Sequence, residues 1–228
     1  MTDTPQNPEH TPNPTPQPQG DGTAAPLNGN EAINRAAEQA QTTAGRNIPA
    51  LEDLPITADT ANLRHGPSLH DGLLALLPLV GVWRGEGQAD TPEQGQHVFG
   101  QQLTFSHNGE NYLTFESLYW PVDDSGEPSG PIQREVGFWR ISAQDDIEVT
   151  ATSSAGSVEI LYGRPMNERA WEMQSASTMV TETGPATLGP GKRLFGLLPT
   201  GELGWVDERM VDGQLRPRMS AQLKRVIG

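Results

Sequence analysis

Histidine placement sets the first bound on chemistry in this chain. All five histidines, His10, His65, His70, His97 and His107, lie in the N-terminal half. Nothing after residue 107 can therefore offer a neutral imidazole to a metal or a serine. Ser153, Ser154 and Ser175 consequently lack a downstream base, which argues against a hydrolase triad. The chain has no cysteine, which removes disulfides, thiolate metal sites, iron–sulfur clusters and thiol nucleophiles. No His/Asp/Glu group has metal-ligand spacing, and no carboxylate pair stands out as a glycosidase would need. Glu135, beside Arg134, reads as a buried carboxylate paired with Arg134, Arg140 or another arginine rather than as an acid–base catalyst. His97 and His107 have the same parity and share a face only in a regular strand, and Gly100 between them invites a bulge. His107 stands next to Asn108-Gly109 and is expected to be solvent-exposed or turn-bonding.

A second kind of signal concerns space. Gly81-Val82-Trp83-Arg84-Gly85-Glu86-Gly87 places Gly81, Trp83, Gly85 and Gly87 at the two-residue period of a β-strand, so all four point to one face. Three glycines on one face admit a backbone, a ring or a ligand at close range. Two readings stay open: a groove with Trp83 as its floor, or a sharply coiled strand with Trp83 as core. Gly85-Glu86-Gly87 is too short to be a phosphate loop and no helix follows it.

These residues sit in a chain of three zones. Residues 1–50 begin with a Pro/Thr/Gln/Asn-rich tail that cannot bury enough apolar surface to order itself. A weak alanine-rich helix is expected over 31–45, with Asn30 as N-cap and Gly45 as its stop. An irregular lead-in covers 51–69. From residue 70 onward, Leu73, Leu74, Leu76 and Leu77 predict one short helix closing a barrel end, capped by Ser68 and stopped by Pro78. About ten short strands then follow, punctuated by turns every 8–12 residues or so. All five tryptophans (83, 120, 139, 171 and 205) fall in this zone and predict an aromatic-lined core or cavity. The fold expected is all-β, an antiparallel barrel of about ten strands.

The formal charge is −14. The first 50 residues carry only five acids against Arg35 and Arg46, so the excess belongs to the barrel. That disfavours nucleic acid and anionic membranes as partners. The N-terminus has no signal-peptide pattern, and the longest apolar run, Leu73–Leu79, is far short of a membrane span. The expected location is cytoplasmic.

Pro78 to Gly87 resembles the GxWxGxG opening of the nitrobindins. The similarity continues through Leu103–Gly109, Tyr112–Phe115 and Arg134–Arg140, and closes at Ser220–Arg225. It covers roughly residues 70–228. The resemblance implies a barrel like those of fatty-acid-binding proteins and lipocalins. It also implies, for typical members, a ferric haem b that binds nitric oxide and isomerises peroxynitrite to nitrate. It places the iron-ligating histidine just before the closing strand, where this chain has Arg218 in Arg216-Pro217-Arg218-Met219. A guanidinium offers no lone pair to iron. Met219 carries a thioether, but strand alternation predicts that it faces the other way. Lys192 aligns loosely with a lysine near the haem propionates, and its other reading is an exposed strand lysine.

The expectation is therefore a nitrobindin-like barrel without a resident cofactor and without haem-dependent isomerase activity. Its cavity is expected to hold a small apolar or amphipathic ligand, with Arg218 pairing an anionic head, Lys192 and Glu135 as pocket residues, and self-association into a homodimer. Two alternatives stand beside it. One is haem bound through another residue such as His97, with isomerase activity retained. The other is an interaction domain filled by its own side chains and recruited by the tail.

Overall fold

The computed structural model describes residues 28–43, 55–92, 94–185 and 188–228. The expectations for the extreme N-terminal tail and for Gly45 lie outside these residues. The chain divides into two units, 1–54 and 55–228. In the first, helix α1 spans Gly29–Thr43. Its N-cap is Asn28 rather than Asn30. Glu31 N donates to Asn28 Oδ1 at 3.0 Å, and Asn28 N donates to Glu31 Oε2 at 3.2 Å, a reciprocal capping box that Asn30 cannot make. None of the described helices is long and apolar enough to cross a membrane.

The second unit is a closed ten-stranded antiparallel barrel. Its strands are β1 (Gly81–Thr91), β2 (Gly95–Ser106), β3 (Leu113–Pro121), β4 (Gln133–Ile141), β5 (Ile147–Ser153), β6 (Ser157–Asn167), β7 (Ala170–Val180), β8 (Gly191–Leu197), β9 (Leu203–Val211) and β10 (Gln214–Ile227). Each pairs with its sequence neighbour, and β10 closes on β1. The β1–β2 ladder runs without a break from Gly81↔Phe105 to Thr91↔Gly95. Gly100 makes no bulge; a Cβ there would lie 2.5 Å from the Trp120 ring nitrogen, so the glycine admits an indole.

A 3-10 helix, Asp71–Leu79, plugs one end. Leu73, Leu76 and Leu79 are fully buried beneath it, each burial stabilising by about 1.5–3 kcal/mol. Its cap is His70, whose Nδ1 accepts from Gly72 N at 3.0 Å, in place of Ser68. Two indoles tie the plug to the wall. Trp83 Nε1 donates to Leu79 O and Trp171 Nε1 to Ala75 O, both at 2.8 Å. Arg225 lies 4.2 Å over the Trp83 ring and donates to the carbonyls of Val80 and Pro78.

The glycine face of β1 thus resolves to the second reading. The Gly85 position lies against Gln222 O of β10, and that of Gly87 against Ser220 O and the Phe99 ring. These glycines let β10 and an aromatic ring close in, and Trp83 is core. Next to the plug, Phe105, Trp139 and Phe195 pack edge to face at 5.2–5.3 Å, the arrangement aromatic quadrupoles favour.

His107 departs from expectation. It is fully buried at the plugged end, where its backbone pairs with Thr60 of the lead-in. Burial holds its imidazole below the usual range, against an opposing pull from Asp59.

Candidate functional site

The open end is built from charge. Alternation along β8 turns Gly191, Arg193 and Phe195 inward, and along β9 turns Leu203, Trp205, Asp207 and Arg209 inward. Glu135 on β4 and Glu159 on β6 face the same space. Arg193 forms a bidentate pair with Glu135 at 2.8 and 2.9 Å and also donates to Glu159 at 2.8 Å. Arg209 grips Asp207 at 2.8 and 2.9 Å and Glu159 at 3.0 Å. Ser175 Oγ donates to Glu159 as well. Burial by itself would raise the Glu159 carboxyl, but Arg193 and Arg209 overcome it and hold the group at about 2. Burial likewise disfavours the Arg193 cation, and the carboxylates of Glu135, Glu159 and Asp207 outweigh that and raise its value. Tyr119 is pushed up by burial and by the nearby Glu135 charge.

Arg218 differs from the other two arginines. Its side chain is 26% exposed, its nearest carboxylate oxygen, on Asp207, lies 3.8 Å away, and Nη1 is 3.8 Å from the Met219 sulfur. A guanidinium carries five N–H donors, so most of its capacity is free for a ligand. Its position follows from a bulge. The β10–β9 register passes from Pro217↔Glu208 to Met219↔Asp207 and leaves Arg218 unpaired. Pro217 has no N–H to give to a ladder and fits such a break. Consecutive residues Arg218 and Met219 thus both face the interior, which corrects the expectation that Met219 points away.

Two cavities meet at this network. An inner chamber of about 60 Å³ lies between the charged cluster and Leu103, Phe115, Phe195 and Trp205; it has room for a few waters, each needing about 10–15 Å³. An outer bowl of about 570 Å³ opens above it, lined by Ala89, His97, Tyr119, Arg193, Arg218 and Met219 among others. That is the size of small-molecule pockets, about 300–1,000 Å³.

Of the residues singled out in the sequence, Glu135, Arg218 and His97 meet here, and Glu135 pairs with Arg193 rather than with Arg134 or Arg140. Arg134 and Arg140 bridge Glu116 and Glu148 on the outside. Lys192 does not join them. It follows inward Gly191, so alternation turns it outward, where it pairs with Glu172 at 2.6 Å. The motif Gly81–Gly87 runs from the plug towards the middle of the barrel. Arg193, Glu159, Asp207 and Arg209 were missed, although inward parity carried along β9 from Leu203 reaches the last two.

A closed ten-stranded antiparallel barrel with one plugged end and one charged, open bowl defines a ligand-holding β-barrel. Comparison with known proteins makes this specific. Residues 72–225 match the model of the THAP4-like, heme-binding beta-barrel domain. The chain is 71% identical to a ferric nitrobindin-like protein of Corynebacterium efficiens, over 89% of this chain and 87% of that one. It is 46% identical to peroxynitrite isomerase 2 of Rhodococcus jostii, over 88% and 98% respectively. The crystal structure of Rv2717c from M. tuberculosis superposes with a TM-score of 0.57 at 25% identity, covering 69% of this chain and 99% of that one. The chain belongs to the nitrobindin-like, haem-binding β-barrel family.

That membership overturns the expectation of no cofactor, because the family's domain is a haem-binding one. The expectation rested on Arg218 at the ligand position, on the lack of any histidine after residue 107 and on Met219 facing away, and a cofactor site is a whole donor set. Arg218 cannot ligate iron, but a guanidinium suits a haem carboxylate. The bowl also contains an imidazole, His97, and a thioether, Met219. The residues present fit an amphipathic, carboxylate-bearing macrocycle through donors other than residue 218.

Proposed function

We propose that this chain is a ligand-binding member of the family whose open bowl receives an amphipathic anion, with Arg218 taking the anionic group. The underused guanidinium of Arg218, lifted into the bowl by the β10 bulge, carries this reading. The aromatic filling below leaves only the small inner chamber. The ligand therefore lies in the bowl and does not thread a long tail to the plug. The peroxynitrite isomerisation for which relatives are named is not assigned to residue 218, which has no lone pair for iron.

The test is titration with 8-anilinonaphthalene-1-sulfonate, an aromatic anion whose fluorescence reports an apolar site. Arg218→Met, similar in length and uncharged, is expected to bind it roughly tenfold or more weakly, the scale of a lost charged hydrogen bond. Unchanged affinity would falsify the role of Arg218.

Haem held through a different donor is a second reading, favoured by one observation. Of the four described histidines, His97 is the one lining the bowl.

A further inference from the structure

We infer that His97 is the iron donor of this barrel, its Nε2 ligating a haem seated in the bowl. The inference rests on the bowl reading only for the carboxylates of that ligand; the iron contact stands on geometry of its own.

Ala89 on β1 pairs with His97 on β2 and with Met219 on β10. The three residues form one row across three strands, all facing the bowl. Two strand spacings separate the backbones of His97 and Met219, roughly 10 Å. The small side chain of Ala89 is the one that stands between them in this row.

The tautomer of His97 is also set. Its Nδ1 lies 3.0 Å from Gly95 O. A carbonyl oxygen can only accept, so Nδ1 carries the hydrogen and Nε2 keeps its lone pair. Metal-ligating histidines are commonly oriented by such a hydrogen bond from the other ring nitrogen to a carbonyl.

The remaining described histidines are unsuited. His65 is exposed in the lead-in, His70 spends Nδ1 on capping the plug, and His107 is enclosed at the plugged end. Arg218 above the row is free to take a carboxylate, so iron donor and anion receptor are separate residues on neighbouring walls.

The experiment is hemin titration of the full chain, followed by absorption and electron paramagnetic resonance, for the native protein, His97→Ala and Arg218→Met, with thermal melts confirming folding. The native protein is expected to bind one hemin with an imidazole-ligated ferric signature. His97→Ala is expected to lose that signature and to regain it with added free imidazole. Its affinity should fall by more than the roughly 10–100-fold that loss of an outer-shell partner costs. Arg218→Met is expected to bind hemin more weakly with the signature intact. Identical spectra for the native protein and His97→Ala overturn the inference, as does failure of the native protein to take up hemin. If the sulfonate probe still binds through Arg218 in either case, the bowl reading survives. If Arg218→Met binds both probe and hemin like the native protein, the bowl reading fails and His97 stands.

Discussion

The two ends of this barrel use opposite physics. At the plugged end Leu73, Leu76, Leu79 and Trp83 are fully buried, and the buried polar side-chain groups there are neutral rings: the indoles of Trp83 and Trp171 donate to backbone carbonyls, while the His107 ring nitrogens and Trp139 Nε1 are buried without a partner. At the open end, side chains as buried as Glu159, Asp207 and Arg209 are charged. Desolvating ions costs several kcal/mol each, and mutual pairing repays it only in good geometry. A charged cluster is thus a poor way to gain stability. Among the described residues the cluster lies at the open end, under the bowl in which an anionic ligand is proposed to bind.

This contrast can be broken from either side. The largest effect is expected at the plug. Trp83→Ala removes a buried indole, its bond to Leu79 O and the surface under Arg225, and should cost about 3–5 kcal/mol in denaturant unfolding. Its effect on the bowl, read by probe affinity at low temperature, is expected to be slight.

Next comes acid sensitivity of the charged end. The folded-state value for Glu159, about 2, lies below its ordinary 4.5. Its stabilisation is therefore complete above pH 4.5 and is lost as pH falls towards 2. The loss is about 3 kcal/mol. Glu159→Gln should flatten the stability–pH curve in that window, and a curve as steep as the native one would sink the assignment.

A smaller cost tests the reading of the glycine face. An alanine Cβ at Gly87 would lie 2.3 Å from Ser220 O and 2.4 Å from the Phe99 ring. Gly87→Ala should destabilise by roughly 1–3 kcal/mol; a neutral melt would restore the open groove. The smallest effect is expected outside. Lys192→Ala breaks a surface pair with Glu172 and should cost no more than about 1 kcal/mol, with probe binding unchanged in fluorescence titration.

Much of the fold was legible because local rules suffice for it. The barrel of about ten strands is the one found, and strands such as β4 and β5 are bounded on both sides by alternation and flanking turns. The parity of Gly81, Trp83, Gly85 and Gly87 also held, because nothing interrupts the β1–β2 ladder. The site was less legible. Residue type and resemblance drew attention to Arg218 and Glu135, while Lys192 takes the second of its two readings, an outward strand lysine paired with Glu172, and the inward arginine is its neighbour Arg193. His107 was expected in solvent or bonded to the turn, and its burial was not legible because Thr60, which pairs with it, lies some 47 residues upstream and leaves no local trace.

What the sequence determined by itself was the barrel, its plug, the absence of any imidazole beyond residue 107 and the arginine at 218. These follow from residue type and short-range period. Which end closes over Trp83, how six charges from five strands neutralise one another, and why both Arg218 and Met219 face the bowl were decided only by tertiary structure. The reason is that closure of the barrel brings β4 and β6 against β8, β9 and β10, and a single bulge at Arg218 resets the inward face in a way that no alternation along one strand can announce.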